Sequence, residues 1–263
     1  MKNIVITGST RGIGLGLAEA FLARGCRVVI SGRNQETVDQ TVSRLAASYG
    51  RERVAGQACD VTDYSQVEML WQAAVAAYAS VDIWINNAGI GQLLTPFWEL
   101  EPALMKTVVE TNLLGTMYGS RAALRGMLQQ GYGALYNMEG KGSRDRRIQP
   151  GLTLYGTTKA GMGYLDTALV KELQDKGVIV GSLLPGMVVT DLLLNQRAGS
   201  SSDWEQAKRV FNILADRVET VAPWLADQIL KNRRSGKRIA WLTGPKVMWR
   251  FLTAPFTKRS LIV

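Results

Sequence analysis

Tyr155 and Lys159 stand four positions apart in the stretch YGTTK, a spacing that puts both side chains on one face of a helix. A phenol beside an ammonium is a proton-transfer pair. The positive charge favours phenolate, so the tyrosine can pass a proton near neutral pH. Alone, such a pair arises by chance in many helices, and it gains meaning from a second constellation near the start of the chain. There Thr7-Gly8-Ser9-Thr10-Arg11-Gly12-Ile13-Gly14 follows a short apolar run and leads into the helical pattern LGLAEAFLARG. Gly8 permits a tight turn, Gly12 lets the backbone approach a pyrophosphate, and the helix N-terminus offers N–H groups and a partial positive charge. The natural ligand of such a turn is a dinucleotide, whose ribose Lys159 would hold.

The end of the second apolar run selects which dinucleotide. An acidic side chain there hydrogen-bonds a ribose 2′-hydroxyl, whereas a basic one pairs with a 2′-phosphate. The residues are Ser31-Gly32-Arg33-Asn34, with no carboxylate among them. Arg33 and Arg11 together make a forked, charge-assisted clamp for phosphate, so NADPH is the expected cofactor. Two plain surface arginines are the alternative. Asp60-Val61 follows the third run, where the carboxylate can accept from an adenine amino group. Asn86-Asn87-Ala88-Gly89 follows the fourth, where small residues let backbone approach the cofactor.

These groups need a frame to hold them. Apolar runs IVIT, CRVVIS, RVAGQAC, VDIWIN, ALYNM, VIVGSLLP and KRIAWLT alternate with helical patterns, which specifies parallel strands joined by crossover helices. The expected fold is α/β: one domain over residues 1–263, a Rossmann-type doubly wound parallel sheet of about seven strands. Pro102 to Gln130 reads as one long helix through Asn112, stopped by Gly131. Residues 187–220 read as a substrate loop after a strand's carboxyl end, with Ser202 or Asp203 capping a helix that holds Trp204 and Phe211.

Charge and composition bound the rest. The net charge of +9 is local: from Gln228 onward there are nine basic residues and no acidic one. Interleaved with Trp241, Trp249, Phe251 and Phe256, the segment 231–263 points to an anionic surface as partner, a membrane first and an acidic protein second, with a solvated tail as the alternative. No recognition motif suggests nucleic acid. The two cysteines, Cys26 and Cys59, have no ligand spacing and the chain has no histidine, so buried reduced thiols are expected and no metal site. No run approaches the ~18 to 20 apolar residues of a membrane span. A strand almost at the first residue leaves no room for a signal peptide, which predicts a cytoplasmic protein, at most peripherally bound to a membrane.

TGSTRGIG, NNAG, Asn112 on its helix, YGTTK, and Pro185-Gly186 with Thr190 together resemble the short-chain dehydrogenase/reductase family over essentially the whole chain. The resemblance implies Tyr155 as general acid and Lys159 as its electrostatic partner and ribose ligand. It implies Asn112 as the backbone anchor of a water-linked proton relay. Pro185, Gly186, Val188 and Thr190 would line the nicotinamide, with Thr190 on its carboxamide. A dimer or tetramer is also implied. Family members carry a serine beside the tyrosine where this chain has Gly140, within NMEGKGS. Loss of one donor to a developing oxyanion costs on the order of 10²-fold in rate. Ser143, three residues on, is a candidate replacement; a turn-capping role is the alternative. The segments NMEGKGS, YGTTKAG, LLPGMVVTDLLL and QAKRVFNILAD look closer still to chlorophyll b reductases, in which an acidic residue and glycine also stand here. That resemblance implies NADPH-dependent reduction of a 7-formyl group on a large apolar tetrapyrrole. A generic ketone or aldehyde reductase is one rival, and a membrane-docked NADPH-binding protein without turnover is another.

Overall fold

Valine and isoleucine pack well on a pleated surface, and where they alternate in facing opposite sides of a sheet they require a covering layer on each. The computed structural model describes residues 1–143, 148–190, 201–257 and 259–261, and of 201–207 the backbone alone. Among them, β1 (Asn3–Ile6), β2 (Arg27–Gly32), β3 (Val54–Ala58), β4 (Ile83–Asn86), β5 (Gly133–Met138), β6 (Val178–Leu184) and β7 (Arg238–Ala240) form one sheet. Their order is β3-β2-β1-β4-β5-β6-β7, and every pair is parallel. All seven expected strands are present. The order reverses between β1 and β4, and ligands bind at the carboxyl ends beside such a switch point.

Alternation along the strands feeds two cores. Ile4, Ile6, Val28 and Ile30 pack with Leu17 and Phe21 of α1 (Gly12–Leu22), Val38 and Leu45 of α2 (Gln35–Tyr49), and Leu225 and Ile229 of α8 (Val218–Lys231). Val5, Val29, Trp84, Leu135 and Val180 face the other way, onto Leu70 of α3 (Tyr64–Tyr78), Met127 of α5 (Gly115–Gln130) and neighbours. Cys26 and Cys59 are buried free thiols, one in each core. Burial raises both thiol pKa values, that of Cys59 to about 12.

Three expectations need correction. The long helix is not regular: α4 (Pro102–Val109) and α5 are joined by a π-helical turn, Glu110–Leu114, that contains Asn112. Close packing explains the change of pitch, since a Cβ on Gly115 would stand 2.7 Å from Val61 and the Asn112 amide is clamped to Ile90. Gly131, at φ +79°, does end α5. The helix α7 is described over Ser201–Leu214, so Ser202 and Asp203 are within the helix and do not precede it as caps. Much of the loop before it, and Arg144, Arg146 and Arg147, lie outside the described residues.

The third correction concerns the basic segment. Its strand β7 splits it: exposed Lys231, Arg233, Arg234 and Lys237 precede the strand, while α9 (Gly244–Thr253) follows its carboxyl end. Three of its arginines pair within the chain, Arg238 with Glu139 and both Arg250 and Arg259 with the one carboxylate of Asp216. The segment is therefore not one cationic surface.

Candidate functional site

The glycine turn leaves β1 at the sheet's carboxyl edge. Gly8 (φ +63°) and Gly12 (φ +58°) hold backbone conformations that side chains disfavour, and a Cβ on Gly8 would sit 2.9 Å from Ala88 Cα. A Cβ on Gly14 would collide with the Gly8 carbonyl. Helix α1 starts with no side-chain cap and no acidic residue in its first turn, so its end is electrostatically open to an anion. Space remains above Gly12, where a Cβ would meet nothing nearer than Thr190 Cγ2 at 3.6 Å. The turn thus has the room and the donors that a pyrophosphate requires.

Side chains in the turn serve the frame. Buried Ser9 donates its hydroxyl to Ile6 O at 2.8 Å and accepts from Ser31 N at 2.9 Å, which pins the turn between β1 and β2. Thr7 Oγ1 accepts from Asn87 N and Ala88 N, each at 3.0 Å, and Asn87 Nδ2 donates to Thr7 O and Gly8 O. Asn86 faces inward instead, donating to Asn137 Oδ1 at 2.8 Å and accepting from Trp84 Nε1 at 2.8 Å. Asp60 accepts from the backbone and hydroxyl of Thr62, and Val61 packs against Gly115. Arg11, Arg33 and Thr10 border the same edge, with both arginines exposed. Beyond β6, Gly186 has φ +76°, buried Val188 bridges Asp216, and Thr190 comes back beside Gly12. Residues from three separate strand ends thus meet around one space.

Tyr155 and Lys159 lie on α6 (Thr153–Glu172), both buried, with Lys159 Nζ 5.6 Å from the phenol ring centroid. Gln92, which the sequence reading missed, positions the helix start by accepting from Tyr155 N at 2.8 Å and donating to Gly151 O at 2.7 Å. Lys159 Nζ donates to Met138 O at 2.9 Å, at the last residue of β5. Burial works against the expected preference for phenolate. Burial pushes the Tyr155 phenol up to about 12, and the same burial lowers the Lys159 ammonium to about 8 against the opposing pull of Glu139 and Asp166. Desolvation acts on both groups, and here it outweighs their mutual influence.

Gly140 faces that pair directly. A Cβ there would collide with Tyr155 Oη and stand 3.2 Å from Lys159 Cε. Ser143 is buried in the following turn, where its hydroxyl lies 2.8 Å from Gly140 O and 3.2 Å from Glu139 Oε2. Glu139 itself is fully buried, and its Oε2 accepts from Arg238 Nε of β7 at 2.6 Å. Asn112 holds Ile90 at both N–H and C=O, at 2.8 and 2.9 Å, which fixes the backbone just beyond Gly89. Asp166, Asn137 and Arg238 were also missed. Only the first had a visible signal: a carboxylate seven residues after Lys159 on the same helix face.

Comparison with known proteins agrees with this layout. The chlorophyll(ide) b reductase NOL of Arabidopsis thaliana is 41% identical over 253 residues, covering 93% of this chain and 71% of that protein. The probable chlorophyll(ide) b reductase NYC1 of the same plant is 37% identical over 269 residues, covering 96% of this chain; the chain spans about half of its length, 53%. A solved gluconate 5-dehydrogenase from Burkholderia cenocepacia, in complex with NADP and tartrate, has a TM-score of 0.77 at 26% identity, covering 91% of this chain and 92% of that one. A 3-ketoacyl-(acyl-carrier-protein) reductase from Brucella melitensis has the same fold, with a TM-score of 0.79 at 23% identity and coverage of 91% and 96%. The family model described as short chain dehydrogenase matches residues 2–201, and with these relatives it shows that the chain belongs to that family.

Proposed function

We propose that the protein is an NADPH-dependent reductase acting on an aldehyde of a bulky apolar substrate, the 7-formyl group of chlorophyll b or chlorophyllide b, to give the 7-hydroxymethyl group. The observation that carries this reading is the intact proton-transfer pair at the end of β5, with no side chain on the flank that Gly140 occupies. A phenol that burial holds protonated is suited to donate, and reduction of a carbonyl needs a donor. The relatives named chlorophyll(ide) b reductase support the substrate class.

In this reading the glycine turn from Gly8 to Gly14 and the α1 terminus hold the pyrophosphate. Arg11 and Arg33 hold the 2′-phosphate, Asp60 the adenine, Lys159 the ribose and Thr190 the carboxamide. The bound cofactor supplies a hydride to the carbonyl carbon. Tyr155 gives its proton to the carbonyl oxygen, and Asn112 anchors the relay that restores it. Ser143 is the second donor, its hydroxyl turning from the Gly140 carbonyl to the substrate oxygen. Exposed apolar side chains at the same edge, Leu93, Phe97 and Trp98 after β4 and Met248, Trp249 and Leu252 after β7, suit a large flat ring system. We include a homo-oligomer and contact with an anionic membrane in the proposal.

The test is a spectral assay with chlorophyllide b. Oxidation of NADPH with loss of the formyl chromophore is expected, with NADH markedly poorer. Turnover of small aldehydes alone would favour a generic reductase. Cofactor binding without oxidation by any carbonyl would leave the binding-protein reading.

A further inference from the structure

Four charged groups are gathered behind the phenol. Lys159 is 6% exposed, its ammonium held on Met138 O, and two carboxylates act on it: Glu139 at 2% and Asp166 at 3% exposure. Glu139 is the residue next to Met138, and its backbone N–H donates to Leu183 O at 2.8 Å, which extends the β5–β6 ladder past the strand end. Arg238 reaches over β6 to bind its carboxylate. Asp166 lies two helical turns beyond Lys159, and its Oδ1 accepts from Asn137 Nδ2 at 2.5 Å. Asn137 is completed by Asn86, so the second carboxylate is tied through two buried amides to the floor of the cofactor cleft.

A buried ammonium loses its hydration and is neutral unless carboxylates replace that water. Met138 O and the phenol ring supply only dipoles. We propose that Glu139 and Asp166 are positioning residues that act through Lys159: two buried carboxylates, one anchored by Arg238 and the other by Asn137, that keep the ammonium charged beside Tyr155. The acidic residue that stands next to Gly140 is then the counter-charge of the reacting pair. It is not a surrogate for the missing serine. The two anchors divide the labour. Arg238 anchors Glu139 through the 2.6 Å contact of its Nε with Oε2. Asn137 holds Asp166 without adding charge.

The inference rests on the reading of Tyr155 and Lys159 as the reacting pair, but its test needs no carbonyl substrate. The groups facing Lys159 are Tyr155 and Asp166 on α6 and Glu139 after β5, with Arg238 of β7 behind Glu139. The lysine Nζ resonance of the full chain is followed by ¹⁵N NMR against pH and assigned by its absence in Lys159→Met. In the unaltered protein its midpoint is expected near 8, well below an ordinary lysine. Removing a negative charge must lower it further. Glu139→Gln and Asp166→Asn, each isosteric and able to keep its hydrogen bond, should each move the midpoint down by about one unit, and Glu139→Gln by more. Either variant suffices if the other does not fold. A midpoint that stays in place in a folded variant overturns the proposal. A shifted midpoint in a protein that turns over no carbonyl supports it and refutes the catalytic reading alone.

Discussion

A Cβ on Gly140 would collide with the Tyr155 hydroxyl, so a serine there does not fit the present packing. A side chain at 140 has to displace the phenol or the Lys159 stem. Overpacking of this kind costs about 1–3 kcal/mol, and most of that would fall on the geometry of proton transfer. Gly140→Ser is therefore expected to lower kcat by about tenfold or more while NADPH affinity, read by cofactor fluorescence, is unchanged. A rise in kcat would mean that the site lacks a donor, and the contact explanation would fall. The Gly140 position was legible in the sequence as a departure from the family pattern. What filled the space was not, because the answer depends on the depth at which α6 sits over β5.

Asp216 plays at the level of elements the part that Gly140 plays for one residue. It lies between α7 and α8, and its carboxylate accepts from Trp241 Nε1 at 2.6 Å, Arg250 Nη2 at 2.7 Å and Arg259 Nη2 at 2.8 Å. The same two arginines donate to Ile213 O, Leu214 O and Ala215 O at the end of α7, where a helix leaves its carbonyls unpaired. Cations are also favoured there by the helix dipole. The C-terminal segment thus fastens the helix that flanks the site. Asp216→Asn should cost about 2 kcal/mol in urea unfolding, because it removes the counter-charge that two partly buried guanidiniums share. Lys237→Gln, an exposed charge of the same segment, should stay within about 0.5 kcal/mol. Equal effects would show that Asp216 fastens nothing.

For the whole molecule, the sheet sets where a membrane can touch. Lys231, Arg233, Arg234 and Lys237 precede β7, whereas Met248, Trp249, Phe251, Leu252 and Phe256 lie past its carboxyl end, on the side of the cofactor cleft. In the proposed membrane contact, a substrate drawn from lipid would enter at the cleft. The proposed binding to anionic vesicles is accordingly assigned to the aromatic end. In a pelleting assay Trp249→Ala with Phe256→Ala should abolish it, and Lys231→Gln with Lys237→Gln should leave it largely intact. Loss in the lysine pair alone would move the contact to the opposite end. The sequence by itself determined the seven strands, the glycine turn and the Tyr155–Lys159 spacing, because periods of 2 and 3.6 residues and turn chemistry are local properties. Only the tertiary structure decided that Glu139 meets Arg238, 99 residues away, that Asp216 gathers the C-terminal arginines, and that burial raises the Tyr155 phenol. Those outcomes follow from strand order and from desolvation, which belong to the packed molecule and to no stretch of the chain.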